Sequence, residues 1–596
     1  MSTAILTGQP VPGSSIEGDL RSLGFDVRVA ADAADAERLV AEAPCDQRVA
    51  LVDARFVGHV HALRLGLTDP RFSLAAVPGA VTAQPDGRAT LTRALARENS
   101  SGGGTAVAVD SLPDRIVTAL AEDGADVYRP ELGSLVAAVP ADPQARNEAR
   151  QAVADVDDEA VRLKSAVKSR DGFFTTHFIS PYSRYIARWC ARRGLTPNQV
   201  TTASLITALI AAACAATGTR GGFIAAGVLL IASFVLDCTD GQLARYSLQY
   251  STLGAWLDAT FDRAKEYAYY AGLALGAARG GDDVWALALG AMILQTCRHV
   301  VDFSFNEANH DATANTSPTA ALSDKLDSVG WTVWVRRMIV LPIGERWAMI
   351  AVLTAVTTPR ITFYVLLVGC AFAATYTTAG RVLRSLTRKA QRTDRAAKAL
   401  ADLADNGPLA GLLARVSRGS LSGPRAAVAL AGTAILALTL FSGDKWATVG
   451  SALVYAIAAG QALDRPLKGA LDWLVPPLFR AAEYGTVLIL AARADVNGAL
   501  PAAFGLVGAV AYHHYDTVYR IRGNAGAPPA WLVRAVGGHE GRTLLVTVLA
   551  AALTASQFTV ALTVMAVAVA LLVLVESIRF WVSAGAPAVH DEGEPA

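Results

Sequence analysis

The sequence lacks the features of a secreted, disulfide-built or nucleic-acid-binding protein. Its six cysteines (Cys45, Cys190, Cys214, Cys238, Cys297 and Cys370) lie far apart, and no two form a C-x-x-C pair. Neither a zinc site nor a disulfide framework is therefore indicated. Formal net charge is only +1, so no global basic field invites nucleic acid. The opening residues, Met1-Ser2-Thr3-Ala4-Ile5-Leu6, have no basic n-region and no cleavable apolar stretch. No signal peptide is expected, and the first domain is expected to stay in the cytosol.

The excess is in apolar residues, at 53% of the chain with a mean hydropathy of +0.34. A soluble chain of this size needs more polar surface. The apolar residues are unevenly placed. Residues 1–150 read as a cytosolic α/β domain, with short β-rich runs at 4–6, 27–29, 49–52, 106–109 and 135–139 and helical periodicity at 33–43. That alternation predicts a parallel sheet with crossover helices. Residues 99–104 (Asn-Ser-Ser-Gly-Gly-Gly) read as a flexible loop. Residues 151–200 form an amphipathic connector in which Arg184, Arg188, Arg192 and Arg193 interleave with Tyr185, Ile186 and Trp189. Such a helix can lie among lipid headgroups; a solvated linker helix is the plain alternative.

A bilayer-spanning helix needs about 20 mostly apolar residues. Candidates fall at 201–218, 222–243, 254–277, 284–305, 345–358 and 361–380, within a membrane domain at 201–385. Arg381, Arg384, Arg388, Lys389, Arg392 and Arg395 follow and should be cytosolic by the positive-inside rule. Residues 386–423 read as a basic, polar cytosolic linker. Further apolar segments near 424–441, 446–463, 471–492, 500–519, 543–558 and 560–583 form a C-terminal membrane domain at 424–585, before a polar tail at 586–596. The fold class is therefore multidomain: an α/β domain, then all-α polytopic membrane domains in the cell membrane.

The chemistry concentrates in Asp237-Cys238-Thr239-Asp240-Gly241-Gln242-Leu243-Ala244-Arg245, followed by Gly254, Asp258 and Asp262. On a helix, 237, 240, 241 and 244 share one face, as do 254, 258 and 262 on the next. Each helix presents two carboxylates beside glycine or alanine. Four facing carboxylates in a membrane segment are costly and would force protonation. Divalent cations remove both problems, and all-oxygen ligands suit Mg²⁺, Mn²⁺ or Ca²⁺ rather than zinc. Gly241, Ala244 and Gly254 leave space for a nucleotide diphosphate, and Arg245 can face phosphate oxygens. One carboxylate not fully engaged by metal can take a proton from an attacking hydroxyl. Ordinary capping or salt-bridged aspartates would explain one or two of these positions, not the set.

The pattern D-x2-D-G-x2-A-R-x8-G-x3-D-x3-D resembles the full signature of the CDP-alcohol phosphatidyltransferase family, and Leu195-Thr196-Pro197-Asn198-Gln199-Val200-Thr201 is similar to that family's segment before its first membrane helix. The resemblance covers about residues 170–385. It implies a six-helix membrane domain opening to the cytosol, release of CMP, and Mg²⁺ or Mn²⁺, with two ions expected. By the same resemblance Asp237, Asp240 and Asp258 are metal ligands, and Asp262 is the general base and a further ligand. Gly241, Ala244 and Arg245 would line the CDP site with Asp240, and Asn198 would reach the nucleotide.

The partners implied are a CDP-alcohol donor (CDP-diacylglycerol or a soluble CDP-alcohol), an acceptor alcohol and membrane lipid; a homodimer is compatible with this. An acceptor that carries a phosphate needs cations, for which Arg263, Lys265, Arg298, Arg336, Arg337, Arg381 and Arg384 are candidates. Arg263, next to the expected base, is placed near the chemistry. Leu341-Pro342-Ile343-Gly344-Glu345-Arg346-Trp347 looks similar to the inositol-phosphate branch, in which a nucleotidyltransferase domain can precede the membrane domain. Here the loop after the first strand, Thr7-Gly8-Gln9-Pro10-Val11-Pro12-Gly13-Ser14-Ser15, has two prolines and no cation before Arg21. A degenerate, noncatalytic domain is expected. Asp53 and Asp110, at strand ends, are either metal ligands or helix caps.

In the C-terminal region Arg480-Ala-Ala-Glu483-Tyr484 parallels Arg263-Ala-Lys-Glu266-Tyr267, and His513-His514-Tyr515-Asp516 parallels His299-Val-Val-Asp302. This reads equally as a diverged partial copy or as chance. Two other classes stay open for the whole chain: a cation transporter with a carboxylate-lined path, and an inactive scaffold.

Overall fold

The computed structural model describes residues 2–9, 11–101, 111–168, 171–312, 334, 338–387, 391–416 and 423–583. The expected strand at 106–109, Asp110, Arg336, Arg337 and the tail at 586–596 lie outside these residues. The chain falls into two compact units. One comprises Met1–Ser169, Tyr182–Pro197 and Thr239–Tyr250; the other comprises Arg170–Pro181, Asn198–Cys238 and Ser251–Ala596.

In the first unit, β1 (Ser2–Thr7), β2 (Phe25–Ala30), β3 (Val49–Asp53), β5 (Leu74–Val77) and β6 (Ala80–Ala83) form a sheet in the order β2-β1-β3-β6-β5. β4 (Val57–Gly58) pairs with β7 (Ala137–Ala138) in a separate ribbon, which is all that the run at 135–139 contributes. β1 runs parallel to β2 and β3, with Ile5 opposite Arg28 and Leu51. β6 is antiparallel to both β3 and β5, which corrects the expected all-parallel sheet. Pro78-Gly79 joins β5 to β6, with Gly79 at φ 78°. A two-residue turn can join only antiparallel neighbours. Alternate residues serve opposite faces: Ile5 and Leu51 enter one apolar cluster, Ala4, Leu6 and Val52 the other. Both faces of the sheet are covered. The helix Ser180–Arg192 leaves Tyr182, Tyr185 and Trp189 exposed.

The second unit is helical. Among the described residues, six helices are long and apolar enough to cross a membrane: Pro197–Ala216, Arg220–Ser247, Pro359–Thr387, Arg425–Ser442, Asp472–Ala494 and Ala555–Ser583. The expected spans at 254–277, 284–305, 345–358, 446–463, 500–519 and 543–558 are helices but are not among those six. Thr252–Arg279 carries Asp258, Asp262, Arg263, Lys265 and Glu266, and Ile343–Val356 has only 14 residues. Of the charged groups on Thr252–Arg279, Lys265 and Glu266 are buried, while Asp258 is exposed. A Cβ on Gly272 or Gly276 would run into the backbone of Ala212 or Ala215. These glycines let Thr252–Arg279 lie directly on Pro197–Ala216.

The expected linker at 386–423 contains two helices, Asp394–Ala404 and Pro408–Val416. Leu400, Ala404 and Ala410 enter the apolar core. The apolar positions Ala396, Leu400 and Leu403 recur at helical spacing, which the polar composition masks.

Candidate active site and metal centre

Asp237 and Asp240 project from the helix Arg220–Ser247, and Asp258 and Asp262 from Thr252–Arg279. The connection is tight. Leu248 adopts φ 51°, the Gln249 N–H returns to the Ala244 carbonyl at 3.0 Å, and the Ser251 hydroxyl accepts the Gly254 N–H at 3.0 Å. The first helix thus ends in a Schellman-type turn and the second begins on a serine cap. Asp237, Asp240 and Asp258 each offer an oxygen, and these oxygens all lie within 4.8 Å of one another. That spacing and the all-oxygen chemistry fit a hard divalent cation. Asp262 stands one helical turn beyond Asp258.

The fourth aspartate is tied to the first through a lysine. Lys265 Nζ donates to Asp237 Oδ1, lies 3.0 Å from Asp262 Oδ1, and donates to the Ser204 hydroxyl at 3.2 Å. It also sits 5.4 Å over the Trp347 ring and is fully buried. From sequence, Lys265 is a candidate for the acceptor phosphate; in the structure it is a partner of the aspartates. Its spacing of three from Asp262, on one face, was the signal for the pairing.

Asn198 is beside the motif, since a Cβ on Gly254 would stand 2.7 Å from Asn198 Oδ1. Around Gly241 there is room: a Cβ there would meet nothing nearer than the Arg245 guanidinium at 3.5 Å. Ala244 is half-buried. Arg245 keeps its Nη atoms on the Gly241 side while Nε donates to the Ala166 carbonyl at 2.6 Å.

The acceptor candidates separate. Arg263 pairs with Glu266 at 3.2 Å, reaches His299 Nδ1 at 3.5 Å and faces the Tyr515 ring at 5.6 Å. It turns away from the aspartate face, because one residue rotates a helix position by about 100°. Arg298 is buried and donates to the Val340 carbonyl, while its Nε and Nη1 have no hydrogen-bond partner among the described residues. Arg381 is held by Asp302.

Beneath the site lies a clamp that the sequence did not disclose. Arg346 donates through Nε and Nη2 to the two Glu266 oxygens at 2.9 and 3.1 Å, and Tyr270 adds its hydroxyl at 2.6 Å. The segment 341–347 thus braces the helix that carries Asp258 and Asp262. The C-terminal region repeats the arrangement. Arg480 pairs with Glu483 at 2.7 Å, and Arg542 donates to Glu483 at 2.5 Å and to Asp405 at 2.7 Å. His513 Nε2 approaches Asp405 at 3.1 Å.

In the α/β unit, Asp53 takes the Arg55 N–H at 2.8 Å and the Arg55 guanidinium at 2.9 Å. This engages both of its oxygens locally.

Residues 194–373 match the CDP-alcohol phosphatidyltransferase family, so the chain carries that family's domain. Residues 394–596 match a family of unknown function, DUF5941. The chain is 34% identical over 131 residues to a phosphatidylinositol phosphate synthase of Streptomyces avermitilis, covering 21% of this chain and 51% of that one. It is 31% identical over 114 residues to a bifunctional IPC transferase and DIPP synthase of Aquifex aeolicus, covering 19% and 26%. It is 31% identical over 113 residues to an archaetidylinositol phosphate synthase of Pyrococcus horikoshii, covering 19% and 58%. The chain thus spans from about a quarter to somewhat over half the length of these relatives.

Proposed function

We propose that the domain at 194–373 transfers a phospho-alcohol group from a CDP-alcohol to an acceptor alcohol, releasing CMP, in phospholipid biosynthesis. The observation that carries this reading is the meeting of three carboxylate oxygens within 4.8 Å, with Asp262 one turn away. Asp237, Asp240, Asp258 and Asp262 would hold two divalent ions, Mg²⁺ or Mn²⁺. When bound, these ions neutralise charge on the diphosphate. The remaining work falls to the chain. Asn198, Gly241, Ala244 and Arg245 bind and orient the nucleotide. Asp262 takes the proton of the acceptor hydroxyl as its oxygen bonds to the phosphorus that carries the donor alcohol. The bond from that phosphorus to the bridging oxygen breaks, and CMP leaves with the electron pair.

For the acceptor we favour an inositol-phosphate-type alcohol. Two relatives are named for such products, and Arg298 keeps two buried N–H groups without partners among the described residues. Arg263, Arg336 and Arg337 complete the proposed set. The donor is CDP-diacylglycerol or a soluble CDP-alcohol, and the active site faces the cytosol from the cell membrane, in a protein compatible with a homodimer. The α/β domain is proposed to be noncatalytic, in keeping with the local engagement of Asp53.

The test supplies the full-length protein with Mn²⁺ and labelled CDP-diacylglycerol or CDP-inositol, and offers a panel of alcohols. CMP release is expected, and Asp262→Asn should lower kcat by about 10²–10⁴-fold with little change in donor KM. No CMP with any pair, together with Asp262→Asn matching wild type, would overturn the reading. Ion flux without CMP would favour a carboxylate-lined cation path instead.

A further inference from the structure

The helix that carries Asp237 and Asp240 ends at Ser247, and its last carbonyls need donors from elsewhere. They are met by arginines far back in the sequence. Arg162 Nε donates to the Tyr246 carbonyl at 2.9 Å, and Arg64 Nη2 donates to the Ser247 carbonyl at 3.3 Å. The Arg162 guanidinium also lies 3.6 Å over the Tyr246 ring, whose hydroxyl donates to Glu159 at 3.0 Å. Tyr246 packs with Leu163 and Ala166 in a small apolar cluster. Arg245 is anchored to the Ala166 carbonyl at 2.6 Å. At the end of the turn, Arg71 lies 4.0 Å over the Tyr250 ring and is itself held by Asp69 at 2.7 Å.

Three features make this more than incidental packing. Positive charge at a helix C-terminus is favourable. The turn needs support, because Leu248 holds φ 51°, where a side chain is strained. Burial pulls the Arg64 guanidinium down to about 10 and lowers Arg162 as well, so both arginines are desolvated to make these contacts.

We propose that Arg64, Arg71 and Arg162 are positioning residues for the transfer reaction, through which the α/β unit fixes the turn at 245–250 and the helix end bearing Asp240 and Arg245. This gives the noncatalytic domain a role in the site, and it rests on the transferase reading above.

The experiment measures Mn²⁺ affinity by electron paramagnetic resonance of free Mn²⁺, alongside the kinetics, on the full-length protein. Arg162→Ala should weaken Mn²⁺ binding and raise the donor KM by about tenfold each, the loss expected of one charge-assisted hydrogen bond. Its kcat should fall less, and Arg162→Lys should recover most of the loss. Arg64→Gln/Arg71→Gln should move the same two constants in the same direction. Wild-type Mn²⁺ affinity and donor KM in Arg162→Ala would overturn the proposal. Should these variants not fold, hydrogen exchange on the wild-type protein decides: the amides of 246–250 should exchange slowly, and exchange as fast as an open loop would overturn it. Absence of CMP release by wild type would refute the transferase reading, while Mn²⁺ affinity still reports on the clasp.

Discussion

Replacing Lys265 by methionine tests the electrostatic design of the site directly. Lys265 is completely buried and bridges Asp237 and Asp262, whose side chains are 11% and 18% exposed. Met keeps the length of the stem and removes the charge. Removing one partner of a buried ion pair costs about 3–5 kcal/mol. The remaining exposure of the two carboxylates puts the expected value near the lower end, about 3 kcal/mol, or roughly a hundredfold in the folding equilibrium. Divalent metal should offset this, because the two carboxylates left without the ammonium are proposed ligands. A ligand at 100 times its dissociation constant stabilises by about 2.7 kcal/mol, close to the loss. The assay is thermal unfolding in detergent with chelator and then with saturating Mn²⁺. Lys265→Met should unfold several degrees below wild type in chelator, and Mn²⁺ should raise its midpoint by more than it raises that of wild type. Asp237→Asn/Lys265→Met should be less destabilised than Lys265→Met alone. If Lys265→Met unfolds where wild type does in chelator, the lysine does not balance the aspartates and the reasoning fails.

Gly254→Ala should destabilise by about 1–3 kcal/mol through overpacking, since the new Cβ would stand 2.7 Å from Asn198 Oδ1; Gly254→Ala/Asn198→Ala should recover part of this, measured by the unfolding midpoint. In the C-terminal region, Arg542→Met leaves Glu483 and Asp405 short of a buried cation. It should cost about 3–5 kcal/mol, while Mn²⁺ affinity at the aspartate site stays at the wild-type value in the same preparation.

The aspartate motif was legible because spacing on a helix translates directly into a shared face. Positions 237, 240, 258 and 262 needed no tertiary information beyond two helices joined by a short turn. The same arithmetic puts Arg263 about 100° around the helix from Asp262. The hairpin Leu74–Val77 and Ala80–Ala83 escaped notice because its strands are rich in alanine, which carries little β signal. Arg346 could not be paired with Glu266 from sequence, as their separation of 80 residues carries no periodicity. Nor could Arg162 be assigned to Tyr246, 84 residues away. Long-range caps and clamps depend on the packed fold alone.

The repeated clamp bears on the region whose family has no assigned function. Arg263, Glu266 and Arg346 on one side, and Arg480, Glu483 and Arg542 on the other, share a three-residue Arg–Glu spacing and a second arginine from a later helix. The parallel seen in the sequence between 263–267 and 480–484 therefore extends to geometry that the sequence did not contain. The two sites differ in what surrounds the clamp. The first lies on the helix that presents Asp258 and Asp262. In the second, Asp405 takes Arg542 and His513 and lies 3.5 Å from Arg480, so the nearby carboxylates are held by side-chain cations. Among the described residues, the cluster able to hold a metal is Asp237, Asp240 and Asp258. The shared clamp thus braces a helix in both regions, while the carboxylate chemistry stays with the first. Arg542→Met should accordingly lower stability without loosening metal.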